Sequence, residues 1–299
     1  MRKALVLDNS IATTGAFLSA LAMADALRDD LEFSFVLPTN SSCHATAADA
    51  GYVSLALPMV EIGRSFGRIF LYLPMLLING LRLRRILDRH DIAILVANDY
   101  FNQLPLLVRL MGWRGPTVTI VRLLPDRQIR VLNRLWLASM RMATTIRIAV
   151  SNAVLRQLPA SLDAQLVYFP VGRGIDNSQY IPPAPHVGCR FMYLANYIRG
   201  KGQEQALEAF ALIHAHAPDA TLNFVGGDMG LDKNRQYRAG LATHAAHLGI
   251  GDRVTFSDSS TDVATTIRAA DVVLNFSKAE SFSHTCVEAG HLGRPVVAT

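Results

Sequence analysis

An alternation of apolar runs and amphipathic segments, repeated in two series along the chain, leaves few folds open to it. In the first series, strand-length runs at Ala4 to Leu7, Phe33 to Leu37, Ile92 to Ala97, Thr117 to Val121 and Ile146 to Val150 are separated by helix-length segments such as Gly15 to Arg28 and Gly67 to Arg89. Strands that read as continuous Val, Ile and Leu are covered on both faces, so the pattern predicts an α/β fold with a parallel, doubly wound sheet. The second series has strands at Phe191 to Ala195, Thr221 to Val225, Val254 to Phe256, Val272 to Phe276 and Pro295 to Ala298. Its helix Gln203 to Ala217 turns Ala206, Leu207, Phe210 and Ile213 inward and stops before Pro218. Between the series lies Ile181-Pro182-Pro183-Ala184-Pro185, the best linker candidate. The expectation is two Rossmann-like domains, residues 1–180 and 181–299, facing a cleft where a ligand binds.

Composition narrows the class further. Hydrophobic residues make up 51% and charged residues 18%, which excludes a disordered or collagen-like chain. The longest apolar stretch, Ile69 to Leu81, contains Pro74, Asn79 and Gly80 and falls short of the roughly 20 clean residues a spanning helix needs. The start, Met1 to Asp8, has too short an apolar run for a signal peptide and reads as a first buried strand. Cys43, Cys189 and Cys286 are odd in number and lack metal-ligand spacing, so the expectation is a cytoplasmic protein with no disulfide framework and no zinc site. No acidic pair reads as a divalent-ion site.

Charge is unevenly distributed. Residues 1–180 carry 19 Lys and Arg against 13 Asp and Glu, a net +6; residues 181–299 carry 10 against 11, a net −1. Arg127, Arg130, Arg134 and Arg141 sit at i, i+3, i+7 and i+14, along one helix face, with Leu132, Leu135, Trp136 and Ala143 away from it. Arg64, Arg68, Arg82, Arg84, Arg85 and Arg89 bracket the apolar stretch Ile69 to Leu81. Either these arginines solvate ordinary helices, or they form a basic surface for an anionic membrane. Nucleic acid is the less fitting partner, since exposed aromatics interleaved with the charge are few.

Three segments carry candidate chemistry. Ser277 to Ala289 holds Glu280 in a loop after a strand and Glu288 in the following helix. Two carboxylates so placed can accept hydrogen bonds from sugar hydroxyls, with helix-start amides between them for a phosphate. The plain alternative is a residue before a cap and an ordinary surface acid. Arg199-Gly200-Lys201-Gly202 sets positive charge and amides between a strand and a helix, as a phosphate site or a solvated turn. Gly226-Gly227-Asp228-Met229-Gly230 follows a strand but lacks G-x-G-x-x-G spacing, and no helix start is expected after it, which argues against a dinucleotide site.

Taken together, these segments resemble the retaining nucleotide-sugar glycosyltransferases of the GT-B fold, family 4. The matching pieces are Arg199 to Gly202, Ala209-Phe210, Gly226-Gly227, Asp252 to Phe256, Ala270 to Val273, Glu280 to Ala289 (E-x-F-x-x-T-x-x-E-A) and Gly293 to Thr299 (G-x-P-V-V-A-T). The likeness is dense over residues 190–299 and thin before, where Ala149-Val150-Ser151 and Gly174-Ile175-Asp176 are similar to family segments. The resemblance implies transfer of a sugar from a UDP- or GDP-sugar, with no other cofactor and no metal, to a hydroxyl on a glycan or lipid-linked acceptor. It implies that Lys201, helped by Arg199, neutralises the donor diphosphate, that Glu280 faces the transferred sugar, and that Glu288 binds the ribose. Phe282, Ser283, His284 and Thr285 would bring main-chain amides to the donor, Gly202 would open the loop, and Thr14-Gly15 would form the glycine loop of the first domain.

The chain also departs from the family. Asn196 stands where the family has an arginine, and Arg122 stands where a histidine is common. The sequence stops at Thr299, directly after a strand, which reads as a fragment or as a wall supplied by another chain. These departures favour, as the alternative, a non-catalytic nucleotide-sugar-binding or assembly subunit; an epimerase or phosphorylase on the same fold is a third reading.

Overall fold

The computed structural model describes residues 1–59, 66–169, 181–182, 185–260 and 262–299, with the backbone alone described for 66–71. The chain divides into two compact units, Met1–Pro170 and Val171–Thr299. The expected boundary at 180/181 borders residues outside those described, as do Pro183 and Ala184 of the linker and the whole of Gly174-Ile175-Asp176.

Unit 1 is built on seven strands: β1 (Arg2–Leu7), β2 (Leu31–Pro38), β3 (Val53–Leu57), β4 (Ile92–Ala97), β5 (Thr117–Val121), β6 (Ile146–Ala149) and β7 (Gln165–Leu166). Their order is β3-β2-β1-β4-β5-β6-β7, and the pairs are parallel. The helices between them are α1 (Gly15–Ala26), α2 (Cys43–Asp49), α3 (Phe66–Arg89), α4 (Leu104–Leu110), α5 (Arg130–Ala143) and α6 (Asn152–Leu155). Leu5 and Leu7 of β1, Val36, Leu95, and Leu83 and Leu87 of α3 pack into one cluster closed by Trp113.

Unit 2 has β8 (Arg190–Leu194), α7 (Gln203–His214), β9 (Thr221–Val225), α8 (Asp232–His247), β10 (Val254–Ser257), α9 (Val263–Arg268), β11 (Val272–Asn275), α10 (His284–His291) and β12 (Val296–Ala298). The strand order is β10-β9-β8-β11-β12, again parallel. Each unit is therefore a Rossmann-like domain whose strand order reverses once, at β1/β4 and at β8/β11.

Several expectations need correction. β3 and β7 are short strands that the periodicity missed, because Val53 is largely exposed and β7 has two residues. Arg127 lies in the 3-10 turn Pro125–Arg127, so the arginine stripe begins on α5 at Arg130. Leu135, expected on the buried side, is 59% exposed. A helix does follow Gly230: α8 starts at Asp232, and its polar composition leaves only Tyr237, Leu241 and Ala245, at i, i+4 and i+8, to mark the buried face. No helix among the described residues is long and apolar enough to cross a membrane.

Phe210, fully buried, meets the Phe191 ring edge-on at 6.0 Å and anchors α7 on the sheet of unit 2. Phe210→Ala is expected to cost unit 2 about 3 to 5 kcal/mol, the range for removing a buried phenyl ring, read as a lowered denaturant midpoint.

Candidate functional site

The reversal between β8 and β11 sets two loops side by side at the carboxyl ends of those strands, where open parallel sheets bind ligands. The loop after β8 carries Asn196, Arg199, Gly200, Lys201 and Gly202; the loop after β11 carries Phe276 to Ser283. Tyr193, buried in β8, joins them. Its hydroxyl donates to the Lys201 carbonyl and accepts from the Phe276 amide at 2.8 Å. The Lys278 amide adds a bond to the Gly200 carbonyl at 3.1 Å. Gly202, at φ +81°, lies so close to the second loop that a Cβ there would sit 2.0 Å from the Phe276 carbonyl oxygen, so only glycine fits.

This framework holds Lys201 and Glu280 together, with Nζ 2.7 Å from Oε1 and both side chains about one-third exposed (35% and 28%). An ion pair this exposed adds little stability. Its weight is positional, since it poises a cation and a carboxylate at one spot.

Beside it α10 begins. Ser283 is its N-cap, with Oγ accepting from the Cys286 amide at 3.3 Å and from Asn275 Nδ2 at 2.6 Å. Thr285 Oγ1 donates to the Leu194 carbonyl at 3.2 Å, pinning the first turn to β8. The positive end of the helix, with His284 and Thr285 in its first turn, thus lies at the same strand ends. Phe282 and His284 meet edge to face at 5.4 Å, and Glu288 stands half-buried on the second turn.

The structure therefore brings together Lys201, Gly202, Glu280, Phe282, Ser283, His284 and Thr285, with Glu288 one turn along. Arg199 is engaged elsewhere: its guanidinium stacks on Tyr237 of α8 at 5.0 Å and lies 3.5 Å from Glu204 of α7. Asn196 is occupied too, its Oδ1 accepting from the Gly227 amide at 3.1 Å. Sequence reasoning missed Tyr193 and Asn275. The available signal was a phenol within an apolar strand, because a buried Tyr hydroxyl needs a partner.

In unit 1, Gly15 is the first residue of α1, behind the N-cap Thr14, whose Oγ1 accepts from the Phe17 amide at 3.3 Å. Arg122 is built into a buried network at the β1/β4 reversal. Its Nε donates to Asn98 Oδ1 at 2.5 Å, Asn98 Nδ2 donates to Asp8, and the guanidinium covers the Phe169 ring at 5.0 Å. Asp99 Oδ1 accepts from the amides of Tyr100 at 2.8 Å and Arg122 at 3.3 Å. Burial pushes the Asp99 carboxyl up to about 7 and draws Arg122 down to about 10.

With this geometry in view, residues 187–299 match the family described as Glycosyl transferases group 1. A 61-residue stretch is 52% identical to the D-inositol 3-phosphate glycosyltransferase of Mycobacterium bovis, covering 20% of this chain and only 13% of that relative's length. The fold of the whole chain is similar to HepE from Anabaena, crystallised with UDP and glucose, at TM-score 0.80 and 21% identity over 100% of this chain and 80% of that one. It is similar also to sucrose-phosphate synthase from Thermosynechococcus elongatus, at TM-score 0.75 and 17% identity over 100% and 81% of the two chains. The two-domain α/β fold is that of the GT-B glycosyltransferases.

Because Asp99 binds its proton more tightly when folded than at its ordinary value of 3.8, its contribution to stability is present at low pH and is lost as pH rises through about 7. The melting temperature of unit 1 should fall between about pH 4 and pH 7 and level off above, and Asp99→Asn should flatten that slope.

Proposed function

We propose that this protein is a retaining glycosyltransferase that moves a sugar from a nucleoside diphosphate sugar to a hydroxyl acceptor in glycan, glycolipid or polysaccharide synthesis. The observation that carries the reading is the convergence of Lys201, Glu280 and the N-terminus of α10 at the β8/β11 reversal. As the bond from the anomeric carbon to the diphosphate oxygen breaks, the electron pair stays on the diphosphate. The Lys201 ammonium and the first-turn amides of α10 then stabilise the charge that develops, with no need of a metal. Glu280 faces the sugar and Glu288 takes the ribose hydroxyls. Assignment to family 4, and with it retention, rests on the E-x-F-x-x-T-x-x-E-A match. The donor base is uracil or guanine, and the UDP bound by the HepE structure supports the first.

The acceptor side belongs to unit 1, working in the cytoplasm at an anionic membrane surface. α3 exposes Leu73, Leu77, Ile78 and Leu81 beside Arg82, Arg85 and Arg89; α5 exposes Val131, Leu135 and Met142 beside Arg130, Arg134 and Arg141. Apolar side chains ringed by arginine suit a headgroup boundary, each basic residue contributing about 1 kcal/mol near an anionic leaflet. The side chains of Arg64 and Arg68 lie outside the described residues.

Arg122 favours the second reading, a non-catalytic nucleotide-sugar-binding subunit, since the position that resembles the family's histidine is locked in a buried network. Turnover separates the two: UDP or GDP binding with neither transfer nor donor hydrolysis establishes the second. Lys201→Ala is expected to weaken UDP by about 1.5 to 3 kcal/mol while leaving uridine almost unchanged, measured calorimetrically. Equal losses would make the lysine a surface group. Co-sedimentation with vesicles should rise with anionic lipid, fall with salt, and drop in a Leu77→Glu, Leu135→Glu double variant.

A further inference from the structure

Unit 1 holds an open pocket of about 320 Å³, a volume within the range of small-molecule sites. It sits at the β1/β4 reversal, with Asn9 following β1 and Phe101 to Gln103 following β4, and α3 and α5 wall it through Tyr72, Met75, Leu76 and Trp136. Although both helices carry exposed arginines, no Asp, Glu, Lys, Arg or His is among the described lining residues. A phosphate or carboxylate bound against them would lose its water and find no counter-charge among them.

The pocket's polar side chains are amides, the Tyr72 phenol and the Trp136 indole, and most of the amides are already satisfied. Asn102 donates to Asn9 Oδ1 at 2.7 Å and accepts from the Leu104 amide at 3.0 Å; Gln103 donates to the Phe101 carbonyl at 3.2 Å. Asn79 differs. It is 3% exposed, and its Nδ2 donates to the Pro58 carbonyl at 2.9 Å. A carbonyl can only accept, so this bond fixes the amide's orientation and turns Oδ1 the other way. Asn79 Oδ1 has no hydrogen-bond partner among the described residues, which leaves a buried acceptor beside an apolar pocket in want of a donor.

Resting on the glycosyltransferase reading, we propose that this pocket selects the acceptor, and that the acceptor is an uncharged amphiphile: a hydrocarbon or aromatic portion among Met75, Leu76 and Trp136, with a hydroxyl donating to Asn79 Oδ1. Asn79 is then a specificity-determining residue. The mycobacterial relatives carry an inositol phosphate in their name; an anion of that kind does not fit here.

The full chain titrated with octyl β-glucoside below its micelle concentration, followed by calorimetry and by the fluorescence of Trp136, tests this. Saturable binding is expected, with free glucose at least about tenfold weaker and D-inositol 3-phosphate giving no saturable signal. Trp136→Phe should remove most of the fluorescence change while the heat persists. Asn79→Leu, and Met75→Trp as a pocket-filling variant in case the first fails to fold, should each weaken octyl glucoside by about tenfold with a native circular dichroism spectrum. Glucose binding as tightly as the alkyl glycoside, inositol phosphate binding at all comparably, or an unchanged affinity in folded Met75→Trp would overturn the proposal. UDP titrated into the same sample reports on the β8/β11 site of unit 2 and not on this pocket, so absence of UDP binding sinks the glycosyltransferase reading and leaves the pocket's preference measured.

Discussion

Parallel pairing of β8 with β11 is the constraint on which the site of unit 2 depends. The two strands are far apart in sequence, and their pairing sets the loop that carries Lys201 against the loop that carries Glu280 at a single sheet end. Each loop is anchored in the core of unit 2, by Tyr197 and by Phe276. Between them the contact is made by backbone groups and a buried phenol, with Tyr193 bridging Lys201 and Phe276 and Gly202 allowing contact that any Cβ would prevent. Lys201 and Glu280 meet because the backbones beneath them are joined, and not because an exposed ion pair draws them together.

Unit 1 uses the corresponding reversal, β1 against β4, in a different way. Its charges are drawn beneath the surface into the Asp8, Asn98, Asp99 and Arg122 network, where burial shifts Asp99 and Arg122 towards their neutral forms. The pocket at the same reversal is lined, among the described residues, by apolar, aromatic and amide side chains. One domain thus presents paired charges where its strand order reverses, the other, among its described residues, a pocket of uncharged side chains.

Much of the fold was legible because long buried strands announce themselves. Ile92–Ala97, Thr117–Val121 and Thr221–Val225 lie where the apolar runs placed them. What escaped were elements whose burial is partial or brief: β3 with its exposed Val53, the two-residue β7, and α8, where three buried apolar side chains are diluted among polar and charged ones. Periodicity reports burial, and an element that buries little leaves little periodicity to read.

The sequence by itself determined the two alternating series, the residue types at Lys201, Gly202, Glu280 and Ser283 to Thr285, and the excess of arginine in the first half. These follow from local rules, since helix caps, turns and strand patterning act over a few residues. Only the tertiary structure decided which of those residues meet. Arg199, two positions from Lys201, turns to Tyr237 and Glu204, whereas Glu280, seventy-nine positions away, lies 2.7 Å from the lysine. It also decided that Arg122 is buried and that Asn79 Oδ1 lies beside a pocket with no partner among the described residues. The physical reason is the same in each case: strand order and close packing set side-chain neighbours across long separations, and no spacing along the chain encodes that order.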